Sequence, residues 1–215
     1  MSPPVFRRRP AATAALAAAL VLCAAAPAQA RLCRIAAVEG AGAELWVEGR
    51  WRDVASADLP LALPPVAAIL RTGPEARVRL ACDDGVEATL GTSSELNLAT
   101  LTEPAPDGGV VMRLIRGVVA AAARGAWPRF EIRSPLVIAA VRSTEWLVVH
   151  DPAEGSAVFV RAGEVAVRAL EGSGAATLGP GEGVDMPPGG PLSPVKTWGA
   201  ARVEALGARL GHGWR

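Results

Sequence analysis

The chain has 215 residues, 51% apolar, 20% charged and 4% aromatic, a balance that excludes a disordered tail, a collagen-like rod and a polytopic membrane protein. Lys+Arg is 22 against Asp+Glu at 21, so no field of one sign exists to draw in a nucleic-acid backbone or an anionic bilayer. The 23 glycines and 18 prolines impose many turns, which favours short strands over long helices.

In chain order, Arg7, Arg8 and Arg9 precede an alanine-rich apolar run over 11–26 and then Ala28-Gln29-Ala30, with small residues where a signal peptidase needs them. Residues 1–30 read as a secretory signal peptide, and the competing membrane anchor is disfavoured because the apolar run falls short of the roughly 20 residues that span a bilayer. Cleavage leaves 19 basic residues against 21 acidic, a nearly neutral product with no later uninterrupted apolar stretch of spanning length. The expected location is the periplasm, with no stable membrane span after cleavage.

Cys33 and Cys82 survive cleavage, and an oxidising compartment permits them to pair. The alternative is two small buried apolar residues. Neither belongs to a Cys-x-x-Cys pair, which argues against a thiol oxidoreductase.

From Arg34 to about Met186 the chain alternates with period two. Ala76, Val78, Leu80 and Cys82 share one face, as do Val86, Ala88 and Leu90. A two-residue loop would set Cys82 against Glu87 and mix core with solvent faces. A three-residue loop, Asp83-Asp84-Gly85, instead sets Leu80 opposite Ala88 and Val78 opposite Leu90, with Gly85 free to take positive φ. Further strands are expected over 110–115, 118–122, 129–133, 137–141, 145–149, 157–160 and 164–167. Arg129 and Arg133, flanking Glu131, read as a solvated edge. Together these predict an all-β fold, a short-strand antiparallel sandwich or roll or a β-helix-like stack. After a Pro- and Gly-rich stretch at 187–194, apolar spacing over 198–210 predicts a short terminal helix. The domains are then a leader at 1–30, a β domain at 31–190 and a tail with a short helix at 191–215.

No chemistry-bearing constellation emerges. There are two histidines, His150 and His212, too few for a His-rich metal centre. No Gly-x-Ser-x-Gly elbow, Walker loop or dinucleotide fingerprint occurs, and the adjacent His150 and Asp151 would point to opposite faces of a strand, with Asp151-Pro152 opening a turn. The chain is therefore read as non-enzymatic, without cofactor or metal. Six tryptophans remain; Trp46 and Trp51, if exposed, would serve as a contact surface, the commoner alternative being core filling.

Two stretches carry a family resemblance. The segment Ile69-Leu70-Arg71-Thr72-Gly73-Pro74 through Asp84-Gly85-Val86 to Ser94-Glu95-Leu96 resembles the opening half of the FecR domain. The segment Phe130-Glu131-Ile132-Arg133-Ser134-Pro135 through Val141-Arg142-Ser143-Thr144-Glu145-Trp146 is similar to that family's strand, Ser/Thr-Pro and Val-Arg-Gly-Thr-Glu-aromatic run, with Ser143 where the family has Gly. The likeness covers about 71–186 and implies structural roles: turns at Gly85 and Gly163, an extended approach at Pro135, and a local ion pair of Arg142 with Glu145, beside Thr144.

What the resemblance implies is a β-rich periplasmic module that acts by protein contact. In full-length relatives it lies behind a membrane helix and a cytoplasmic anti-sigma segment, and receives a signal from an outer-membrane receptor during iron uptake. Here neither segment is found, so the expectation is an exported interaction or signalling module of the cell envelope with an envelope protein as partner. A carbohydrate- or peptidoglycan-binding β module is the alternative.

Overall fold

A computed structural model of the chain describes residues 32–64, 66, 68–98, 101, 109–123, 130–141, 144–172 and 174–214. The expected leader at 1–30 and the motif residue Arg142 lie outside the described residues.

The strands follow in order as β1 (Cys33–Glu39), β2 (Ala43–Val47), β3 (Arg50–Asp53), β4 (Leu61–Ala62), β5 (Ile69–Thr72) and β6 (Arg77–Cys82). Next come β7 (Val86–Leu90), β8 (Glu95–Asn97), β9 (Val110–Ala123), β10 (Phe130–Arg133), β11 (Val137–Val141) and β12 (Glu145–Asp151). The last are β13 (Gly155–Ala162), β14 (Val165–Ala169), β15 (Ala175–Leu178), β16 (Glu182–Met186) and β17 (Lys196–Thr197), ahead of the C-terminal helix α1 (Ala200–Leu210). The hairpin of β6 and β7 has the register expected from the sequence, Val78 opposite Leu90 and Leu80 opposite Ala88, with Gly85 at φ 86°.

All the strands join one mixed network, which folds into two layers that share β9. Sheet I runs β4-β1-β6-β7-β9-β12-β13-β16-β17. Sheet II runs β3-β2-β5-β8-β9-β10-β11-β14-β15, with β9 and β10 parallel. The sequence suggests two strands with a junction at Gly117; the structure has one 14-residue strand that passes from sheet II to sheet I there. Gly117 takes φ 92° and lies so close to Ser94 that any side chain would collide with it. A glycine that reads locally as a turn is therefore the crossing point between layers.

Between the layers lies the main core. Ile35, Leu80, Leu90 and Trp146 enter it from sheet I, and Leu70, Leu96, Met112, Phe130 and Ile132 from sheet II. The rings of Phe130 and Trp146 meet edge to face at 5.0 Å. Cys33 and Cys82 face each other across β1 and β6 and are joined by a disulfide.

The outer face of sheet I is covered by the C-terminal segment. Val118, Ala120, Leu147, Ala157 and Phe159 form a second, smaller core with Trp198, Leu210 and Trp214. Trp198 stacks on Phe159 with ring centroids 5.1 Å apart and lies flat over Gly183, where a methyl group would run into the indole. On its other side the Arg202 guanidinium sits 3.6 Å from the ring and pairs with Asp185. Arg77 donates to the carbonyls of Ala208 and Arg209, so it satisfies orphan acceptors at the C-terminal end of α1.

Candidate contact surface

Among the described residues no segment covers the outer face of sheet II in this way, although Val111, Glu131 and Ile138 on that face are buried. Cross-strand registers define the residues that share its outer face. One row reads Trp51, Trp46, Ile69, Asn97 across β3, β2, β5 and β8, and the next reads Asp53, Glu44, Arg71, Glu95, Arg116 on the same strands and β9.

Trp46 and Trp51 are brought together by the tightest hairpin of the fold. Glu48 and Gly49 have φ 51° and 80°, the two positive values that a type I′ turn requires and that match strand twist. A two-residue loop makes Val47 and Arg50 the hydrogen-bonded pair, so Trp46 and Trp51 form the adjoining non-hydrogen-bonded pair, where side chains approach most closely. Their centroids are 5.4 Å apart at an interplanar angle of 57°. A signal for this was present in the sequence: the tryptophans lie symmetrically about Glu48-Gly49. Both are half-buried, so neither pure core filling nor free display describes them.

The guanidinium of Arg71 lies 3.8 Å from the centroid of the Trp51 ring and donates through Nε and Nη2 to Glu44 at 2.6 and 2.8 Å. That fork holds the Glu44 carboxyl below its ordinary range, by the hydrogen bonds first and then by the charge of Arg71. Arg116 continues the ladder to Glu95 at 3.3 Å. Because Arg71 occupies a face of Trp51, that face is not available for stacking on a sugar ring.

Other residues singled out from the sequence serve the frame. Pro135 follows Ser134, whose amide donates to the Val137 carbonyl and closes the turn between β10 and β11. The Thr144 hydroxyl donates to the carbonyl of Glu164, Gly163 takes φ 86°, and Glu145 lies 3.6 Å from Arg161 across β12 and β13. The solvated edge expected at 129–133 is corrected for Glu131 and Arg133: β10 is interior, flanked by β9 and β11, and Glu131 is only 7% exposed and ion-paired with Arg133 at 2.6 Å. Arg129 lies outside the described residues.

One polar cluster was not legible in sequence. Ser134 Oγ lies 2.7 Å from Ser156 Oγ, which lies 2.9 Å from His150 Nδ1, and all three residues are buried. Burial pushes the His150 pKa down, against a smaller opposing effect of Asp151. The Asp151 carboxylate accepts from the amides of Ala153 and Glu154, as a turn-opening residue does. Among the described residues no three His, Cys, Asp or Glu side chains converge as a metal site. A groove of about 710 Å³ beside α1 is lined by Arg77 and Arg161, both already engaged with carbonyls of the C-terminal segment.

The architecture is thus a two-layer β module with one outer face sealed by the C-terminal segment and the other, among the described residues, without such a segment. Residues 68–166 match the family model described as FecR protein. The match starts near the resemblance seen in sequence and stops within β14. The fold is similar to two solved structures of a candidate anti-sigma factor from Parabacteroides distasonis. One has TM-score 0.55 at 20% identity, covering 64% of this chain and 63% of that one. The other has TM-score 0.53 at 21% identity, covering 63% and 61%. The chain therefore spans less than two thirds of the length of either. No curated protein matches it.

Proposed function

We propose that this protein is an exported, non-catalytic signalling module of the cell envelope that works by protein contact through the outer face of sheet II around Trp46 and Trp51. The observation that carries the reading is the asymmetry of the two sheets: the chain spends its own tryptophans Trp198 and Trp214 on sealing sheet I and leaves Trp46 and Trp51 beside solvent on sheet II. Half-buried aromatic residues on a rigid sheet are suited to anchoring a partner, since their orientation is already set before contact. The FecR match and the fold it shares with a candidate anti-sigma factor support a regulatory role. The signal-peptide pattern over 1–30 supports a periplasmic location, and we take 31–190 as the β domain and 191–215 as the tail. Trp46 and Trp51 are the proposed contact residues, Cys33 and Cys82 the proposed structural disulfide of the exported form.

The test is photo-crosslinking in cells with a benzophenone side chain at position 46 or 51, and at the sheet I residue Arg34 as the control. Adducts of one discrete mass from the periplasmic fraction at 46 and 51, absent at 34, are the expected result. Residence of the protein in the cytoplasm, or adducts at 34 alone, would overturn the reading.

A further inference from the structure

The far half of the same outer face has a different character. Its central row continues across β9, β10, β11 and β14 as Arg113, Arg133, Ile138 and Arg168, each directly opposite the next in register. Arg113 and Arg133 are thus like charges on neighbouring strands, an arrangement that costs stability unless a counter-charge is supplied. Arg133 receives one from Glu131 at 2.6 Å. Arg113 and Arg168 are exposed and have no ion-pair partner among the described residues. The Trp-bearing half, by contrast, interleaves acids with its arginines in the ladder Glu44, Arg71, Glu95, Arg116.

Beside these arginines the sheet is low. Ile138, Ala140, Ala166, Arg168, Ala175 and Thr177 line a shallow depression of about 390 Å³. Small side chains on the floor let a main chain approach closely; Arg168 lines the depression, and Arg133 and Arg113 stand one and two strands beyond Ile138 along the same row. With strands about 4.8 Å apart, Arg113 and Arg168 lie three strands or roughly 14 Å apart, which is the reach of side chains four residues apart on one face of an extended peptide.

We propose that this depression and the arginine row that leads away from it receive an extended acidic segment of a partner protein, with carboxylates at alternate positions meeting Arg113, Arg133 and Arg168. The inference rests on the contact reading above and names the partner's chemistry. Charge complementarity argues for the acid. The shape argues for a peptide: no tryptophan borders the depression to stack a sugar, and a floor of small side chains admits a main chain.

The experiment measures fluorescence anisotropy of a labelled alternating Glu-Ala decapeptide with the purified protein. Arg113→Ser/Arg168→Ser is compared with Arg34→Ser/Arg79→Ser, which removes equal charge from exposed positions of sheet I. Arg133 is left intact because it neutralises Glu131. The expected result is salt-sensitive binding that weakens about tenfold in the first variant and less than about twofold in the second. Absence of peptide binding, equal loss in both variants, or tighter binding to phosphatidylglycerol vesicles or a sulfated glycan with the same arginine dependence would each overturn it. If crosslinks still form at 46 and 51 when the peptide fails, this inference falls and the contact reading stands.

Discussion

The two sheets of this protein are built from the same kind of strand, yet their outer faces have opposite fates. On sheet I, Leu147, Ala157 and Phe159 are apolar on the side away from the main core, so the strands are greasy on both faces and need a second cover, which Trp198, Leu210 and Trp214 provide. On sheet II the outward positions of β2, β5 and β8 are Glu44, Arg71 and Glu95 between aromatic and small polar residues, a pattern that tolerates water. The difference teaches that tryptophan is not one signal here. In one place it closes a core, and in another it stands half in solvent with a guanidinium on its face.

This contrast predicts a large gap in stability between substitutions of chemically identical residues. Trp198→Ala should cost about 3–5 kcal/mol, because it empties the site over Gly183 and unstacks Phe159. Trp46→Ala should cost within about 1 kcal/mol, the worth of one cross-strand pair. Urea unfolding monitored by circular dichroism checks both, and equal losses would break the comparison.

A smaller effect separates the core from either surface. His150 is buried with its pKa pushed below the ordinary 6.5, so the unfolded chain binds the proton more readily than the folded one. Stability should therefore be flat above that value, fall as pH drops below about 6.5, and stop falling through this group once pH is under its folded pKa. In His150→Asn this part of the acid slope should vanish; an unchanged slope between pH 7 and 5 would show that some other group carries it.

The smallest effect sharpens the description of the outer face of sheet II. Arg71→Gln should let the Glu44 carboxyl return upward toward its ordinary range, read by carbon-detected NMR titration, with no resolvable change in the unfolding midpoint. A Glu44 titration that does not move would mean that the fork with Arg71 is not held in solution.

Much of the frame was legible in the residues. Alternation marked the strands over 76–82, 86–90 and 137–141, and the face-matching argument chose the three-residue loop at Asp83-Asp84-Gly85 because a slip of one residue would turn a core face to water. The helix expected over 198–210 forms from Ala200. The contact surface was legible only in its members. Trp46 and Trp51 could be named, but their pairing depended on a turn with positive φ at Glu48, a non-glycine residue that local propensity does not favour there. Glu131 looked solvated because its neighbours Arg129 and Arg133 are charged; that its strand lies between β9 and β11 and that it is buried are not revealed by the local sequence. The chain of Ser134, Ser156 and His150 spans three separate turns or strands, and no motif announces it.

By itself the sequence determined an all-strand body, the register of its β6–β7 hairpin, a short terminal helix and the resemblance to the FecR domain, since each depends on residues near one another along the chain. Only the tertiary structure decided that β9 belongs to both sheets, that the helix seals sheet I, and that sheet II carries tryptophans at one end of its outer face and arginines at the other. The physical reason is range. A pleat alternates every two residues wherever it is, but which face meets a cover is settled by contacts such as Arg77 with the carbonyl of Arg209, 132 positions apart.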